Sequence, residues 1–201
     1  TTDIAIVRHG EPLMRGLSDA ERMQFDELVY TGVVRTPLMA LAHKIPFAGQ
    51  WVNVAAEHFA TTADVYTLTG DLSEVENMAE TADGAEKNID ASARRIARMV
   101  GRDAEDAPLS SWKNLAYAFK RAQLDLIKNA LQTQFSVLDD MAEMTIVGAG
   151  TGEFLVKELA LMMGCRYQSA SGFIKAECNT AKNMAKVCFP AFAVAALEML
   201  D

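Results

Sequence analysis

The amino-acid sequence predicts an α/β fold. Three observations support this prediction: the chain opens with a β-branched and apolar stretch, its middle shows apolar residues at helical spacing, and a strand, a glycine loop and a helix follow one another near its end. Strands that alternate with helices are typical of α/β domains. Half of the 201 residues are hydrophobic, so the chain is long enough to bury a core.

The first predicted element is a β-hairpin. Residues Thr2 to Val7 are β-branched or apolar, "RHGEP" contains the residues typical of a turn, and Leu13 onward is expected to return as a second strand. Ser18 and Glu21 then form a capping-box pattern, which predicts a short helix through about Leu28.

A mixed, threonine-rich region follows, from about residue 30 to residue 72, in which glycines and prolines interrupt the apolar periodicity. Loops between regular elements often carry functional residues, so we expect the site here. The next segment, "ETADGAEK", is predicted to be a loop because Asp-Gly is a turn signal.

Two helices are predicted in the middle of the chain. The first has apolar residues at helical spacing from Ile89 to Val100 and ends at Gly101, with Arg94, Arg95 and Arg98 expected on its solvated face. The second begins at Ser110. Its predicted core stripe consists of Trp112, Leu115, Phe119, Ala122, Leu126 and Ala130.

The stretch "TIVGAGTGEFLVKELALMMG" predicts a strand, a loop with Gly148, Gly150 and Gly152, and a helix. A helix start offers unpaired amides, and glycines allow a phosphate to approach the backbone. Glu153 stands where the dinucleotide fingerprint requires its third glycine, so an ordinary dinucleotide site is not expected. A strand-to-helix turn without a ligand remains the alternative.

The last predicted elements are a strand in "CRYQSAS" and a closing helix from Asn179 to Leu200. The closing helix is apolar nearly all round from Val187 to Leu197, so we expect it to be buried.

Composition excludes several classes of function. The formal net charge is −8 and the basic residues are dispersed, so no nucleic-acid partner is expected. The three cysteines are not spaced as zinc ligands and indicate free thiols in a reducing compartment, which predicts a cytoplasmic protein. The most apolar run, "VCFPAFAVAALEML", is shorter than the roughly 20 residues of a membrane span, so no membrane contact is expected.

Two motifs resemble those of the sugar kinase, heat-shock protein 70 and actin superfamily. "TTDIAIV" is similar to the tail of its second phosphate motif, and "TIVGAGTGEFLVKELA" to its adenosine motif. This resemblance implies a ribonuclease-H-like lobe, and it makes ATP or ADP a possible ligand.

Four longer blocks, "ELVYTGVVRTPLMALA", "HFATTADVYTLTGDL", "TADGAEK" and "RRIARMVGRDAEDAPL", resemble hydantoinase/oxoprolinase-related proteins of the tetrahydromethanopterin-linked one-carbon pathway in methylotrophic bacteria. Residues 1–201 would then form a carboxy-terminal lobe, with a helical insertion around 18–140 and a glycine loop at 145–153. The resemblance also implies an amino-terminal lobe ahead of Thr1, which would be a partner of this one.

The resemblance further implies a reaction. Archaeal relatives of this group join a furanylmethyl diphosphate to the phenol of a glutamyl-tyramine and release diphosphate, in methanofuran assembly. Such chemistry needs donors or cations for the diphosphate, exclusion of water from the cation-like carbon, and a base for the phenol.

Candidates for the diphosphate side lie near the start of the chain. Asp3 is a candidate ligand of Mg²⁺, and Thr1 and Thr2 are candidate hydroxyl donors. Arg35 is a candidate to neutralise a phosphate through a bidentate contact. The alternatives are an aspartate that caps its own hairpin, threonines that favour the strand, and a surface arginine.

Asp64 and Asp83 are the candidates for the general base or a second metal ligand, with a turn residue as the alternative for Asp83. The acceptor side would be lined by Tyr30, Thr31, Thr61 and Thr62 only if both of their loops face the cleft. His9, His43 and His58 are assigned no role.

Two other classes of function stay open. An ATP-dependent kinase or hydantoinase-like hydrolase would need an apolar slot for adenine beside Gly150. A non-catalytic assembly module would dock on another subunit. It would expose an apolar face where the amino-terminal lobe should pack, and it would self-associate as a homo-oligomer when that lobe is missing.

Overall fold

The computed structural model describes residues 1–138, 144–174 and 178–198, and it combines helices with strands as the α/β prediction requires. The strands are β1 (Thr2–Asp3), β2 (Ile6–Arg8), β3 (Glu11–Leu13), β4 (Leu28–Val29), β5 (Lys44–Phe47), β6 (Gln50–Asn53), β7 (Thr145–Gly148) and β8 (Arg166–Ser169). The helices are α1 (Asp19–Gln24), α2 (Thr62–Thr69), α3 (Ile89–Arg98), α4 (Leu109–Phe135), α5 (Glu153–Met162), α6 (Asn179–Val187) and α7 (Phe189–Glu198). The chain divides into two compact units, 1–138 and 139–201.

The predicted opening hairpin is confirmed, but its first strand is interrupted. Strands β2 and β3 pair antiparallel, and His9 and Gly10 form the turn between them with φ angles of 54° and 85°. This left-handed pair is the turn geometry that suits the twist of a two-residue hairpin. Thr2 and Asp3 instead form the separate strand β1, which pairs antiparallel with β4.

The capping box at the start of α1 is confirmed: Ser18 accepts from the amide of Glu21, and the Glu21 carboxylate accepts from the amide of Ser18. The helix ends at Gln24 and not near Leu28, because the chain turns at Asp26 with a φ of 57° and enters β4. Gly16 packs against this helix so closely that an added Cβ would lie 2.5 Å from the amide nitrogen of Arg22.

The hairpin of β5 and β6 packs on the long helix α4. The ring of Phe47 stacks on that of Trp112, with 5.1 Å between centroids and 11° between planes. The indole nitrogen of Trp112 donates to the carbonyl oxygens of Ala104 (2.9 Å) and Ala107 (3.1 Å). This buried side chain therefore joins the hairpin, α4 and the segment before α4.

Helices α2, α3 and α4 form the core of the first unit. The predicted stripe of α4 is confirmed at Trp112, Leu115, Phe119 and Ala130, but Ala122 is only half-buried and Leu126 is 38% exposed. In the second half of the helix the buried face also includes residues at neighbouring positions: Gln123, Leu124, Ile127 and Leu131. A polar residue, Gln123, stands in the core where a search for apolar spacing passes over it.

In the second unit β7 and β8 pair in parallel, with α5 as the connection between them. The predicted strand, glycine loop, helix and following strand are therefore confirmed. A parallel pair needs such a crossover.

The prediction of one buried closing helix is wrong. The chain forms α6 and α7 with a break at Cys188, and neither helix contains a buried residue among those described. Pro190 lacks an amide hydrogen and its ring disfavours helical backbone before it, which accounts for the break. The predicted positions 199 and 200, like 139 and 140 of the predicted insertion, lie outside the described residues.

All three cysteines are free. Across residues 1–138, 144–174 and 178–198, no helix combines the length and hydropathy of a membrane span.

Candidate active site

Three of the residues predicted to bind the diphosphate, Thr1, Thr2 and Asp3, lie on or beside strand β1. Thr1 is exposed, and its hydroxyl lies 3.5 Å from Oδ2 of Asp3, to which it donates. Asp3 is 55% exposed, and its Oδ1 lies 2.9 Å from the guanidinium of Arg22. The hydroxyl of Thr2 donates to the carbonyl oxygen of Thr31 (2.8 Å). Thr1 and Asp3 therefore face solvent together, whereas Thr2 ties the strand to the next loop.

That next loop, Thr31–Thr36, carries Arg35. The amide of Gly32 donates to the hydroxyl of Thr36 (2.8 Å), and a Cβ added to Gly32 would lie 3.1 Å from the amino nitrogen of Thr1. The guanidinium of Arg35 is exposed and forms no ion pair or hydrogen bond with the described residues. The fold thus places the loop that carries Arg35 directly against the Thr1 end of β1.

A buried polar network that was not predicted from the sequence fixes the Thr31–Thr36 loop. Gln123 of α4 donates to the hydroxyl of Thr31 (2.8 Å) and to the carbonyl oxygen of Gly32 (2.9 Å), and it accepts from the hydroxyl of Tyr66. The hydroxyl of Thr62 donates to the same Gly32 oxygen (2.8 Å). Thr31 and Thr62 are therefore buried parts of the scaffold. The sequence signal for this network was Gln123, a glutamine on an otherwise apolar face of the predicted helix.

The two candidate aspartates, Asp64 and Asp83, meet on one arginine. Arg95 of α3 is 3% exposed, and its Nη2 lies 2.7 Å from Oδ1 of Asp64 while its Nη1 lies 3.0 Å from Oδ1 of Asp83. Its Nη2 also donates to the carbonyl oxygen of Glu86 (3.1 Å). The prediction that Arg95 belongs to a solvated face is wrong, because two carboxylates distant in sequence draw it inward; Arg94 and Arg98 are exposed as predicted.

Asp64 and Asp83 differ in accessibility. Asp64 is buried, and its oxygens accept from the amide of Thr61 (3.0 Å), the hydroxyl of Ser92 (3.0 Å) and Arg95. The side chain of Asp83 is 44% exposed, and only its Oδ1 accepts, from Arg95 and from the amide of Ala85 (3.1 Å). Burial alone would raise the pKa of Asp83, but the Ala85 amide and the Arg95 guanidinium hold that pKa below its ordinary value.

An open cleft of about 480 Å³ adjoins this cluster within the first unit. Its charged lining has both signs, with arginines from α3 and carboxylates from the loops around it. The lining side chains are His58, Phe59, Ala82, Asp83, Arg94, Arg95, Arg98, Asp103, Ala104 and Glu105. His58, to which the sequence assigned no role, therefore lies at a cleft.

The glycine loop of the second unit already contains a carboxylate. A Cβ added to Gly148 would lie 3.0 Å from Cγ of Glu153 and 3.0 Å from Cε2 of Tyr167, so a larger residue would require these two side chains to shift. The hydroxyl of Tyr167 donates to Oε1 of Glu153 (2.7 Å), and Nζ of Lys186 lies 3.4 Å from Oε2. Burial, and then the bond to Glu153, raise the pKa of Tyr167.

This arrangement restricts where a phosphate can bind on the loop. Glu153 is the first residue of α5, where a negative charge is stabilised by the helix dipole, and it would repel a phosphate beside Gly148. Gly150 has a φ of 80° and nothing within 4 Å of an added Cβ, so its side of the loop is open. Gly152 is the N-cap of α5.

The described residues contain no group of three or more histidine, cysteine, aspartate or glutamate side chains that could hold a metal ion. Asp3 nevertheless fits a magnesium site of the kind that uses one protein carboxylate together with substrate phosphates and water. Its Oδ2 is bound only by the weak contact from Thr1.

Comparison with known proteins gives two kinds of match. The profile of the hydantoinase/oxoprolinase family matches residues 1–188. The chain is 32% identical over 164 residues to the (4-{4-[2-(gamma-L-glutamylamino)ethyl]phenoxymethyl}furan-2-yl)methanamine synthase of Methanocaldococcus jannaschii, an alignment that covers 79% of this chain and 47% of that protein. It is 30% identical over 158 residues to the synthase of the same name from Methanococcus vannielii, covering 79% of this chain and 69% of that protein.

The chain therefore spans about half the length of the first of these relatives. The family match extends over strand β1, the Thr31–Thr36 loop, the Arg95 cluster and the glycine loop. On both grounds, the extent of the family match and the two relatives, the chain belongs to the hydantoinase/oxoprolinase family.

Proposed function

We propose that this chain is part of a synthase in the biosynthesis of a methanofuran-type cofactor, serving tetrahydromethanopterin-linked one-carbon metabolism in the cytoplasm. One observation carries the proposal: two relatives that are 32% and 30% identical over 79% of the chain are named as synthases of a furan-methanamine ether. The fold by itself would not select this reaction.

The product in the relatives' name contains a phenoxymethyl group, an ether that links a phenol to a furan. The proposed substrates are a furanylmethyl diphosphate and the phenol of a γ-glutamyl-tyramine. The carbon–oxygen bond to diphosphate breaks, the phenol oxygen bonds to the same carbon, and its proton passes to a base. Diphosphate leaves with the electron pair of the broken bond, so the reaction needs no oxidant or reductant.

The group at β1 and the Thr31–Thr36 loop suits the diphosphate. The Arg35 guanidinium has no ion-pair or hydrogen-bond partner among the described residues, and the exposed hydroxyl of Thr1 is held only by its 3.5 Å contact to Asp3. Both donors would take up charge on the leaving group. Thr2 contributes by holding the strand to the loop. Mg²⁺ held by Asp3 and the diphosphate oxygens would supply further neutralisation of that charge.

Asp83 suits the acceptor better than Asp64 does. Asp83 lines the cleft, and its Oδ2 accepts no hydrogen bond from the described residues, whereas both oxygens of Asp64 are occupied by protein donors. A carboxylate of lowered pKa is a weak base, but the phenol oxygen becomes strongly acidic once it bonds to the furanylmethyl carbon. We therefore propose that Asp83 accepts the proton and that Asp64 holds Arg95 in place.

The same proposal includes the architecture. The β2–β3 hairpin and the β7–α5–β8 unit are parts expected of a ribonuclease-H-like lobe of the actin and sugar kinase superfamily. An amino-terminal lobe would close over the ligand. Within the glycine loop, the open side at Gly150 and Gly152 suits a phosphate better than Gly148, which packs against Glu153 and Tyr167. An experimental structure of the full-length protein with diphosphate would test this arrangement directly.

The activity test uses the full-length protein with Mg²⁺, furanylmethyl diphosphate and γ-glutamyl-tyramine. We expect the ether, identified by mass spectrometry, with one diphosphate released per ether. Asp3→Ala should lower turnover strongly, while the matched control Asp125→Ala, an exposed aspartate on α4, should keep it. Wild-type turnover by Asp3→Ala would remove Asp3 from the mechanism, and absence of ether from the wild type would overturn the function.

The family description, hydantoinase/oxoprolinase, favours one alternative, a hydrolase. The resemblance to the sugar kinase superfamily extends that alternative to an ATP-dependent hydrolase or a kinase. A ligand that binds the folded state raises the midpoint of thermal unfolding. With Mg²⁺ present throughout, stabilisation by diphosphate and not by ADP supports the synthase, and stabilisation by ADP supports the alternative. A non-catalytic assembly module would respond to neither ligand. Without the amino-terminal lobe it would self-associate, which sedimentation of residues 1–201 measures.

A further inference from the structure

The residues proposed to bind the diphosphate, Thr1, Asp3 and Arg35, do not line the cleft beside the Arg95 cluster. Its volume of about 480 Å³ lies within the roughly 300–1,000 Å³ of small-molecule sites. Arg95 lines it but is not free to bind a ligand, because each of its guanidinium nitrogens is bound by Asp64, Asp83, Glu86 or Ser92. A ligand must therefore be recognised by the other charged side chains.

Arg94 and Arg98 are the available cations. They lie one helical turn apart on α3 and both line the cleft. The guanidinium of Arg94 forms no ion pair or hydrogen bond with the described residues, and Arg98 has only a long contact of 3.7 Å to the exposed Asp103. Like charges at this spacing repel each other. A bound anion would remove that repulsion and accept the planar donors of both arginines.

The acidic side chains of the cleft decide which anion fits. Asp83, Asp103 and Glu105 line the same space, and they would repel a diphosphate. A ligand that carries a carboxylate and an ammonium group together suits both signs. The exposed ring of Phe59 adds an apolar surface to the wall.

We propose that this cleft binds the zwitterionic amino-acid head of the phenolic acceptor. Arg94 and Arg98 bind its α-carboxylate, Glu105 binds its α-ammonium group, and Phe59 contacts the apolar part of the molecule. This inference rests on the proposed function, because the γ-linked glutamyl group in the relatives' name leaves both charged groups free. It makes the cleft the subsite that selects the glutamylated acceptor.

The experiment compares three acceptors on the full-length protein. γ-Glutamyl-tyramine carries both charges, glutaryl-tyramine carries the carboxylate alone, and N-butyryl-tyramine carries neither. Binding is measured by titration calorimetry, which needs no turnover, and kcat/KM for ether formation is measured in parallel. The wild type should bind γ-glutamyl-tyramine most tightly and N-butyryl-tyramine most weakly.

The variants separate the two charges of the head group. Arg94→Ala should weaken binding of γ-glutamyl-tyramine and glutaryl-tyramine by about 10- to 100-fold, the effect of a lost charged hydrogen bond, and leave N-butyryl-tyramine unchanged. Arg94→Lys should restore part of the loss. Glu105→Gln should weaken γ-glutamyl-tyramine alone. The control Arg121→Ala removes an exposed arginine outside the cleft and should change none of the three.

Two results would overturn the proposal: equal weakening of all three acceptors by Arg94→Ala, or wild-type protein that does not prefer γ-glutamyl-tyramine over N-butyryl-tyramine. Absence of ether from every acceptor would instead contradict the synthase function, while the calorimetry would still decide the role of the cleft. Unchanged thermal midpoints of the exposed-site variants confirm that they are folded.

Discussion

At the scale of single residues, Arg95 connects three segments of the first unit. It binds Asp64 at the start of α2, and Asp83 and the Glu86 carbonyl in the loop before α3. A buried ion pair of this kind adds little net stability compared with apolar packing, but removing one partner leaves the other charge buried and unpaired. The main effect of the cluster is therefore to fix the position of the cleft wall that contains Arg95 and Asp83.

The first prediction concerns Arg95 itself. Arg95→Ala should lower the free energy of unfolding by about 3–5 kcal/mol, because Asp64 would stay buried without its partner. The matched control is Arg94→Ala on the same helix, an exposed arginine that should change it by no more than about 0.5 kcal/mol. Urea denaturation of both variants measures the difference. Equal losses for the two arginines would contradict the buried role.

The second prediction concerns the buried carboxylate of Glu27, which accepts from the amides of Arg15 (2.7 Å) and Gly16 (3.0 Å). Burial alone would raise the pKa of Glu27, but these amides and the guanidinium groups of Arg15 and Arg22 hold it below the ordinary 4.5. A folded-state pKa that is lowered contributes stability above the unfolded value. That contribution is lost as the pH falls through the lowered pKa.

The free energy of unfolding of the wild type should therefore fall as the pH is lowered below about 4.5. Glu27→Gln should be less stable at pH 7 by about 1–3 kcal/mol, since an amide cannot accept both bonds as a carboxylate does, and its stability should fall less steeply in acid. Denaturant unfolding at a series of pH values measures both slopes. Parallel slopes would show that another carboxylate governs the acid response.

At the scale of elements, helix α4 organises the first unit through two buried glutamines. Gln123 binds the Thr31–Thr36 loop, and Gln134 donates to the carbonyl oxygen of Phe25 at the end of α1. Each satisfies backbone or side-chain groups of a segment that has no regular hydrogen-bond ladder of its own. Buried polar groups need such partners, so the helix fixes these loops as well as packing the core.

The third prediction tests this role of α4. Gln123→Leu removes the hydrogen bonds of Gln123 to the hydroxyls of Tyr66 and Thr31 and one of the two donors to the Gly32 carbonyl oxygen, and it should lower the free energy of unfolding by about 1–3 kcal/mol. Gln132→Leu, an exposed glutamine on the same helix, is the matched control. Hydrogen exchange should become faster in the loop amides of Gln123→Leu only. Unchanged hydrogen exchange of these loop amides in Gln123→Leu would show that Gln123 does not stabilise the loop.

How far the sequence predicts these elements depends on the range of the interactions. The capping box of Ser18 and Glu21 and the turn at Gly10 are local, so their residue types predict them correctly. The burial of Arg95 requires carboxylates 12 and 31 residues away, and that of Gln123 requires groups more than 90 residues away. Periodicity along one helix carries no information about such partners. The cleft itself depends on tertiary packing, although Asp83 on its wall was identified as a candidate.

At the scale of the whole molecule, the chain contains two compact units of unequal size. The first unit has its own core, formed by side chains of α2, α3 and α4 that are fully buried, including Tyr66, Ile96, Trp112 and Phe119. Strand β1, the Thr31–Thr36 loop, the Arg95 cluster and the cleft all belong to this unit, whereas the glycine loop belongs to the second.

The fourth prediction is that residues 1–138 fold without the second unit. A protein of these residues should unfold in one cooperative transition, followed by circular dichroism in urea, because its core lies within them. A shorter chain of residues 1–108 lacks α4, and therefore Trp112 and Phe119, and should show no cooperative transition. Loss of cooperativity in residues 1–138 as well would contradict an independent first unit.

Because Phe47 stacks on Trp112, tryptophan fluorescence can be used to follow the packing of the β5–β6 hairpin on helix α4. Trp112 is held in the core, whereas Trp51, the second of the two tryptophans, is 70% exposed on the hairpin that carries Phe47. Their emission bands should separate, with the buried indole at the shorter wavelength and shielded from acrylamide. In a Trp51→Phe protein, Trp112 would be the single tryptophan, and its emission, excited at a wavelength that tyrosine does not absorb, would signal when the β5–β6 hairpin leaves helix α4.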